Sequence, residues 1–328
     1  MKSEPGLVLN PIDKVISQKT KTNIKSRVNT KRDFQLLILA LPVLLYVFIF
    51  CYLPMAGVVI AFEDYRYDKG VFGSEFIGFK NFEFFFKSDS AFTVTFNTLA
   101  YNLTFIVIGT LLSISVALLL NEVKNKSAIK IYQTSMFLPY FFSWVVVSFI
   151  VYAFISPSYG MGNYFIASLG IDTTNLYFYP PIWPFIILFV GEWKYLGYSV
   201  IINYTVLMGI DSSYYEAAEV DGASKLQRAW HISVPFLVPI TIIQIIMAVG
   251  RIFSSDFGLF YQVTRDSSML YSVTDVIDTY IFRAIMNPSN SDVGMGAAIG
   301  LFQSCVGFVL VVVTNTIVNK VNSEAALY

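Results

Sequence analysis

One group of aromatic and polar residues interrupts a long apolar stretch near the middle of the chain. Its members are Glu192, Trp193, Lys194, Tyr195, Tyr198, Asn203 and Tyr204. Aromatic faces with polar edges suit the binding of sugars, whose rings stack while their hydroxyls are hydrogen bonded. Tyr198 follows Lys194 by four residues, so the two share one face of a helix. The group is therefore a candidate solute path, and Lys194 would attract an acidic sugar such as a uronide.

The two charges allow a second interpretation. A charge within an apolar span costs several kcal/mol unless it is paired or faces a wet cavity. Glu192 and Lys194 are two residues apart and project from different sides of a helix, so we do not expect them to pair with each other. They either line the path or pair with other segments, and both interpretations stay open. Trp144, Phe141 and Phe142 are further path candidates, although aromatic residues in such segments usually serve packing.

The remaining residue types argue against catalysis and metal binding. The single histidine is His231, and the two cysteines, Cys51 and Cys305, lie in separate apolar runs. Neither a zinc site nor a disulfide framework is expected from so few ligands. No G-x-x-x-x-G-K-[ST] sequence is present, so we expect no cofactor and no ATP site in this chain. Two functions of the chain remain open at this point. One is an intramembrane glycosyl- or lipid-transferring enzyme that uses Glu192 as a base, and the other is an ion-coupled transporter.

Composition and hydropathy predict an all-α integral membrane protein. The 328 residues are 55% hydrophobic and 13% charged, with a net charge of zero and a mean hydropathy of +0.62. The zero net charge argues against nucleic acid as a partner. Runs of about 20 apolar residues predict membrane helices, and six segments qualify, at 34–60, 94–120, 132–155, 182–209, 232–254 and 295–318. Residues 1–33 form a polar tail before the first of them.

The placement of lysine and arginine predicts the orientation of these spans in the cell membrane. The tail holds eight such residues, the connection between the second and third spans adds Lys124, Lys126 and Lys130, and the loop at 156–180 has none. We therefore expect both termini in the cytoplasm. With six spans, the connection between the fourth and fifth, residues 210–231, is also cytoplasmic; we call it the elbow.

The elbow has the features of a docking surface for another protein. Ser213 with Glu216, and Ser224 with Gln227, are spaced as capping boxes that begin two short helices, and Gly222 suits the left-handed position between them. Pro235 and Pro239 are expected to mark entry into the fifth span. Small, aromatic and charged side chains occur together here, a combination typical of interfaces: Ala217, Ala218, Ala223, Tyr214, Tyr215, Glu216, Glu219 and Asp221. A DNA-binding helix-turn-helix and a solvated connector are the alternatives.

The segment EAAEVDGASKLQRAWHISVP resembles the EAA loop of binding-protein-dependent ABC importer permeases. The matching positions are Glu216, Ala217, Ala218, Asp221, Gly222, Ala223, Trp230, Ile232 and Pro235, with tryptophan at the position where that family more often has phenylalanine. The resemblance implies that the elbow is a coupling helix seated in an ATPase subunit. It further implies a second homologous permease subunit, an ATPase dimer that binds the ATP, and an extracytoplasmic solute-binding protein.

Other segments extend the resemblance over nearly all of the chain from residue 34. FIGFKNF (76–82) resembles an outer segment of maltose and glycerol-phosphate permeases, and DVIDTYIFR (275–283) resembles the subgroup that takes up oligosaccharides cut from polysaccharides. The resemblance implies that the chain imports oligosaccharides by alternating access and that the partner ATPase hydrolyses the ATP. In the outer loop at 255–294, a stripe at helical spacing predicts a helix that either contacts the binding protein or packs on the spans: Val273, Val276, Ile277, Tyr280, Ile281, Ala284 and Ile285.

Overall fold

The structure is a computed structural model that describes residues 30–87, 89–156, 160–168, 176–286 and 291–321. The polar tail, apart from its last residues, and the end of the chain after Val321 lie outside this part. The chain divides into two units, residues 1–56 and 57–328. In the first unit, α1 (Thr30–Val47) continues through a π-turn (Phe48–Tyr52) into the 3₁₀ helix Leu53–Phe62, which runs into the second unit.

The second unit is helical apart from one small hairpin. Its strands β1 (Glu63–Asp64) and β2 (Glu75–Phe76) pair antiparallel. Its helices are α2 (Lys80–Lys87), α3 (Asp89–Asn121), α4 (Lys126–Phe137), α5 (Trp144–Ile155), α6 (Met161–Ser168), α7 (Trp183–Met208), α8 (Ser212–Val220), α9 (Lys225–Arg228), α10 (Val234–Val249), α11 (Tyr271–Thr274), α12 (Ile277–Met286) and α13 (Ser291–Val321). Short π- and 3₁₀-turns join several of these.

Five helices in the described part of the chain are long and apolar enough to cross a membrane. They are Phe34–Phe62, Ser90–Asn121, Pro180–Met208, Lys225–Val249 and Val293–Lys320. The predicted all-α membrane class is confirmed. The fifth predicted span, 232–254, has different bounds, because its helix begins at Lys225 and ends at Val249.

The third predicted span, 132–155, is not one straight helix. The two helical segments Lys126–Phe141 and Trp144–Ile155 are long and apolar enough to cross a membrane only when they are taken together. They meet at an angle of 100°. Pro139 has no N–H to give to a helix, Phe142 is extended, and the Ser143 hydroxyl accepts a bond from Val146 N (3.3 Å) to begin α5. Hydropathy averages over a window and does not detect such a break, which we call the helix break (residues 138–143).

The core of the second unit lies between α3 and α7. Glycines allow the close approach: a Cβ at Gly191 would lie 2.7 Å from the Phe105 ring, and one at Gly197 would lie 2.0 Å from the Met136 carbonyl oxygen of α4. Asn203 ties three helices together by donating to Ser113 Oγ (3.1 Å) on α3 and accepting from Gln244 Nε2 (3.4 Å) on α10. The buried side-chain amide of Asn203 thus finds its hydrogen-bond partners on neighbouring helices, as a bilayer requires.

The stripe predicted in the outer loop is used for packing inside the chain. Val276, Ile277 and Ala284 are buried, and α3 binds the backbone beside them: Asn97 Nδ2 donates to Asp275 O (3.0 Å), and Tyr101 OH donates to Val273 O (2.8 Å). The stripe is interrupted at residues 275–276, between α11 and α12. These contacts favour packing on the spans over contact with a binding protein.

The close approach of α4 and α7 gives a stability prediction. Gly197→Ala puts a methyl group against backbone, so we expect it to destabilise the protein by roughly 1–3 kcal/mol through overpacking. Gly300→Ala in α13 is the matched control, because a Cβ there meets nothing within 4 Å. Thermal unfolding of the detergent-purified protein measures both; equal midpoints for the two variants would contradict this packing.

Candidate functional site

Lys194 occupies the inside of the helix break. Its ammonium group donates to the carbonyl oxygens of Pro139 (3.4 Å), Tyr140 (3.1 Å) and Phe142. The side chain is only 5% exposed, and it also lies over the ring of Trp144, 5.1 Å from its centroid. A helix end leaves carbonyls without partners, and a bilayer offers no water to satisfy them. Lys194 therefore stabilises the break itself.

Glu192 lies on another side of α7, as its spacing from Lys194 predicts. A Cβ on Gly109 of α3 would lie 3.0 Å from Glu192 Oε1, so the glycine makes the room that this carboxyl group occupies. Among the residues that the structure describes, no lysine or arginine lies within ion-pair distance of it. Trp193 packs against Phe142, with ring centroids 6.4 Å apart.

Four exposed aromatic side chains surround the helix break: Tyr140, Phe141, Tyr195 and Tyr198, which we call the aromatic patch. Tyr140 and Tyr198 stack with centroids 5.2 Å apart, and Tyr140 meets Tyr195 edge to face at 6.0 Å. The patch presents ring faces together with phenolic hydroxyls. Of the predicted path residues, it contains Tyr195 and Tyr198, both of which are exposed.

Asp256 joins this region without any signal in the sequence. Its Oδ2 accepts from Tyr195 OH (2.6 Å), and its Oδ1 accepts from the amides of Gly258 (2.9 Å) and Leu259 (3.3 Å). It thus caps the helical turn that follows while it orients a tyrosine of the patch. Only the fold brings residues 195 and 256 together.

Asn203 and Tyr204 lie away from the aromatic patch. Asn203 is buried among α3, α7 and α10, and Tyr204 is buried with Val200, Leu207 and Leu237. The structure therefore brings together Lys194, Tyr195 and Tyr198 from the predicted set, but it places Glu192, Trp193, Asn203 and Tyr204 in packing contacts. The path itself stays a prediction.

The elbow begins at a different cap from the predicted one. The predicted capping box of Ser213 with Glu216 is wrong: Asp211 is the N-cap, and its carboxylate accepts from Ser213 N (2.9 Å) to begin α8 at Ser212. Bonds from the Ser213 amide and hydroxyl hold the pKa of the Asp211 carboxyl below its usual range. A carboxylate two residues earlier is the stronger acceptor, and it also favours the positive end of the helix.

Gly222 ends α8 in the left-handed conformation, with φ +81°, so that prediction is confirmed. Ala223 N donates to Ala218 O (2.9 Å) and Gly222 N to Glu219 O (3.1 Å), the bonding pattern of a Schellman end. The capping box of Ser224 with Gln227 is also confirmed, with both of its bonds present. The turn between α8 and α9 is thereby fixed by its own backbone.

The second helix of the elbow is the beginning of the fifth span. A π-turn, Ala229–Ser233, joins α9 to α10, so that Lys225–Val249 is one helix. Of the two prolines expected to mark entry into the fifth span, Pro235 lies in the first positions of α10 and Pro239 lies inside it. The span helix begins earlier, at Lys225, because the π-turn before Pro235 changes the bonding partners where the proline N–H is missing. The elbow and the fifth span therefore share one continuous helix.

Two contacts hold α8 onto this helix, and a third holds the helix onto the neighbouring loop. Arg228 NH1 pairs with Glu219 Oε2 (3.2 Å), Tyr215 OH bonds Ser233 Oγ (2.9 Å), and Lys225 Nζ pairs with Glu122 Oε2 (3.3 Å) after α3. Glu122 belongs to the connection between the second and third spans. The elbow and that connection thus lie on the same side of the membrane, as the lysine distribution predicts.

The elbow exposes apolar side chains around a shallow cavity. Val220 is 88% exposed, Leu226 78% and Trp230 67%. Sequence reasoning selected Trp230 but missed Val220 and Leu226, although each is an apolar residue within a polar loop. A cavity of about 320 Å³ lies beside them, lined by Ala218, Asp221, Gly222, Ala223, Gln227, Arg228, His231 and Ile232. Glu216 and Ala217 are exposed on α8 next to it.

Residues 106–323 match the family described as binding-protein-dependent transport system inner membrane component. They include the helix break, the aromatic patch and the elbow. The chain belongs to this family. It is accordingly a multi-pass membrane protein and a transport component, which we call the permease.

Two curated relatives span almost the same length as the permease. Protein LplB of Bacillus subtilis (strain 168) is 34% identical over 90% of this chain and 91% of its own. The polygalacturonan/rhamnogalacturonan transport system permease protein YteP of the same organism is 31% identical over 95% of this chain and 96% of its own. The fold is also similar to that of a chain in a solved bacterial ABC transporter involved in the import of the acidic polysaccharide alginate, with a TM-score of 0.80, 30% identity and coverage of 89% and 97%.

The carbonyl contacts of Lys194 predict that this residue has a structural role, and a substitution can distinguish that role from binding of the solute. Lys194→Met should leave the carbonyls of the helix break unsatisfied, at about 1–3 kcal/mol for each buried group, and should lower the yield and thermal midpoint of the purified permease. Tyr198→Leu, on the exposed side of the same helix, should leave both unchanged. A Lys194→Met protein of unaltered midpoint that had lost only transport would assign Lys194 to the solute.

Proposed function

We propose that the permease is the membrane subunit of an ATP-driven importer that moves oligosaccharides into the cytoplasm by alternating access. A separate ATPase couples to it through the elbow. The observation that carries this proposal is the group of exposed apolar side chains on the elbow, Val220 at the end of α8 and Leu226 and Trp230 in the first turns of the fifth span. Apolar area of this kind is stabilised by burial against a partner.

The proposed coupling of the ATPase to the fifth span depends on the elbow being rigid. The capped turn at Gly222 and the pair between Arg228 and Glu219 fix α8 against α9, and α9 is one helix with the fifth span. An ATPase that binds the elbow differently in its open and closed states would therefore move that span. Equal affinity for both states would shift nothing, so the ATPase must discriminate between them. Glu216, Ala217, Ala218, Asp221, Gly222, Ala223, Trp230 and Pro235 remain the residues that we assign to this contact.

The aromatic patch supports a sugar as the solute. Tyr195 and Tyr198 offer ring faces and hydroxyls beside a helix break, and the relatives are named for polygalacturonan, rhamnogalacturonan and alginate transport. The patch is exposed on one subunit, so a second homologous permease would complete the path. A second structure of the alginate transporter is in complex with an oligosaccharide-bound periplasmic protein, which supports delivery by a binding protein on the outer side.

The rival functions have less support. An intramembrane transferase needs several convergent ionisable groups, whereas Glu192 lies beside Gly109 and forms no ion pair with the residues that the structure describes. The part of the chain that the structure describes contains no group of three potential metal ligands. We propose that the partner ATPase binds the ATP, that the permease holds no cofactor and that both termini are cytoplasmic.

The elbow surface gives a direct test. The double variant Val220→Asp with Leu226→Asp places charges where a partner would bury apolar area, so the ATPase should no longer co-purify and solute-stimulated ATP turnover should fall at least tenfold. Phe72→Asp is the matched control, because Phe72 is 99% exposed on the hairpin at the far side of the protein. Retained ATPase in the double variant, or equal loss in the control, would contradict coupling through the elbow.

A second pair of variants tests the conformation and the charge of the same surface. Gly222→Pro cannot adopt the left-handed turn, and Glu216→Lys reverses a charge on α8. Both should insert into the membrane normally, as judged by yield and gel-filtration profile, yet abolish solute-stimulated ATP turnover. Normal turnover in both variants would exclude the elbow from coupling.

A further inference from the structure

Two consecutive non-glycine residues adopt the left-handed conformation at one turn of the outer region. Arg265 has φ 54° and Asp266 has φ 48°. They end the helical segment 257–263, where Arg265 N donates to Gln262 O (3.2 Å) and Asp266 N to Tyr261 O (3.1 Å). Glycine is the usual residue at such a helix end, and another residue there costs on the order of 1 kcal/mol. Strain of this kind points to a role for the side chains.

Asp266 has a structural role within the chain. Its Oδ1 accepts from Arg283 NH1 (2.9 Å) and from Tyr271 OH (3.0 Å). Arg283 also pairs with Asp275, so one arginine binds two carboxylates. The network holds the turn in place, and the charge of Asp266 is already matched by Arg283.

The surroundings of Arg265 are different from those of Asp266. Its guanidinium group lies over the ring of Tyr152, with Cζ 4.4 Å from the centroid, and its side chain is exposed. Among the described residues, no carboxylate lies within ion-pair distance of it. Stacking on an aromatic face holds a guanidinium in one orientation and leaves its N–H edge free. A planar carboxylate is the ligand that this edge fits best.

The turn lies on the outer side, in line with the aromatic patch. Thr264 O accepts from Tyr177 OH (3.2 Å), and Tyr177 O accepts from Trp183 Nε1 (2.8 Å) at the end of α7 that is opposite the elbow. Trp144 and Tyr152 are eight residues apart on α5, about 12 Å along one face of the helix. Trp144 contacts Tyr195 of the patch (6.1 Å). Arg265 is thus placed on the side of the patch that is nearer the Trp183 end of α7.

We propose that Arg265, held on Tyr152, is a carboxylate-binding subsite at the outer mouth of the path and that it selects acidic oligosaccharides, those built from uronic acid units. The inference deepens the proposed function and rests on it. Lys194 does not supply this selection, because its ammonium group is buried on backbone carbonyls. A carboxylate of the binding protein is the other source of the same chemistry, and the experiment below separates the two.

The test compares one sugar with and without its charge. The complete transporter, with its partner permease, ATPase and binding protein, is reconstituted in liposomes. Uptake is measured for a galacturonate trisaccharide and for its carboxyl-reduced, neutral form. Arg265→Gln should raise the KM for the acidic trisaccharide about tenfold and leave uptake of the neutral form unchanged, and Arg265→Lys should lie between wild type and Arg265→Gln. Arg66→Gln, on the outer hairpin, is the matched control and should change neither.

Each other outcome has a defined meaning. An equal loss of both sugars in Arg265→Gln would overturn the proposal in favour of docking by the binding protein or of a structural role, and unchanged uptake of both would overturn it outright. A wild-type transporter that moves only the neutral form also overturns it. A wild-type transporter that moves neither sugar, with no ATPase bound at the elbow, would instead remove the proposed function on which the inference rests.

Discussion

Every backbone polar group inside a bilayer must find a partner within the protein, and the helix break shows how this permease meets that constraint. Pro139 and the extended Phe142 interrupt the third apolar segment and free carbonyl groups at membrane depth. The ammonium group of Lys194 collects three of them. Because the break is held in this way, Tyr140 and Phe141 can turn outward beside Tyr195 and Tyr198, and the surface that we propose for the solute depends on that arrangement.

The same reasoning explains why the elbow is stiff. A short helix in water is marginal on its own, but α8 is bounded by the Asp211 cap and the left-handed Gly222, and it is bonded to the fifth span through Arg228 and Tyr215. The span continues through the π-turn without a break. The apolar side chains that project from this unit are therefore presented on a rigid support that is continuous with the fifth span.

Local features could be predicted from the sequence, and features that need the fold could not. Gly222 and the box of Ser224 with Gln227 depend on residues three or four apart, and both were predicted. The cap at Asp211 was missed because two acceptors, Asp211 and Ser213, compete within three residues. The break at 138–143 was missed because a hydropathy window averages over it. Asp256 beside Tyr195, and the carbonyls around Lys194, come from segments more than 50 positions apart, so no spacing rule predicts either contact.

The central claim is that another protein drives the permease by seating on the elbow. The most direct measurement places a photo-crosslinking amino acid at Leu226 in the intact transporter and identifies the captured polypeptide by mass spectrometry. We expect the ATPase subunit to be captured, with an efficiency that changes when ATP is bound. Capture of lipid or of nothing at Leu226, while the ATPase remains in the complex, would contradict the account.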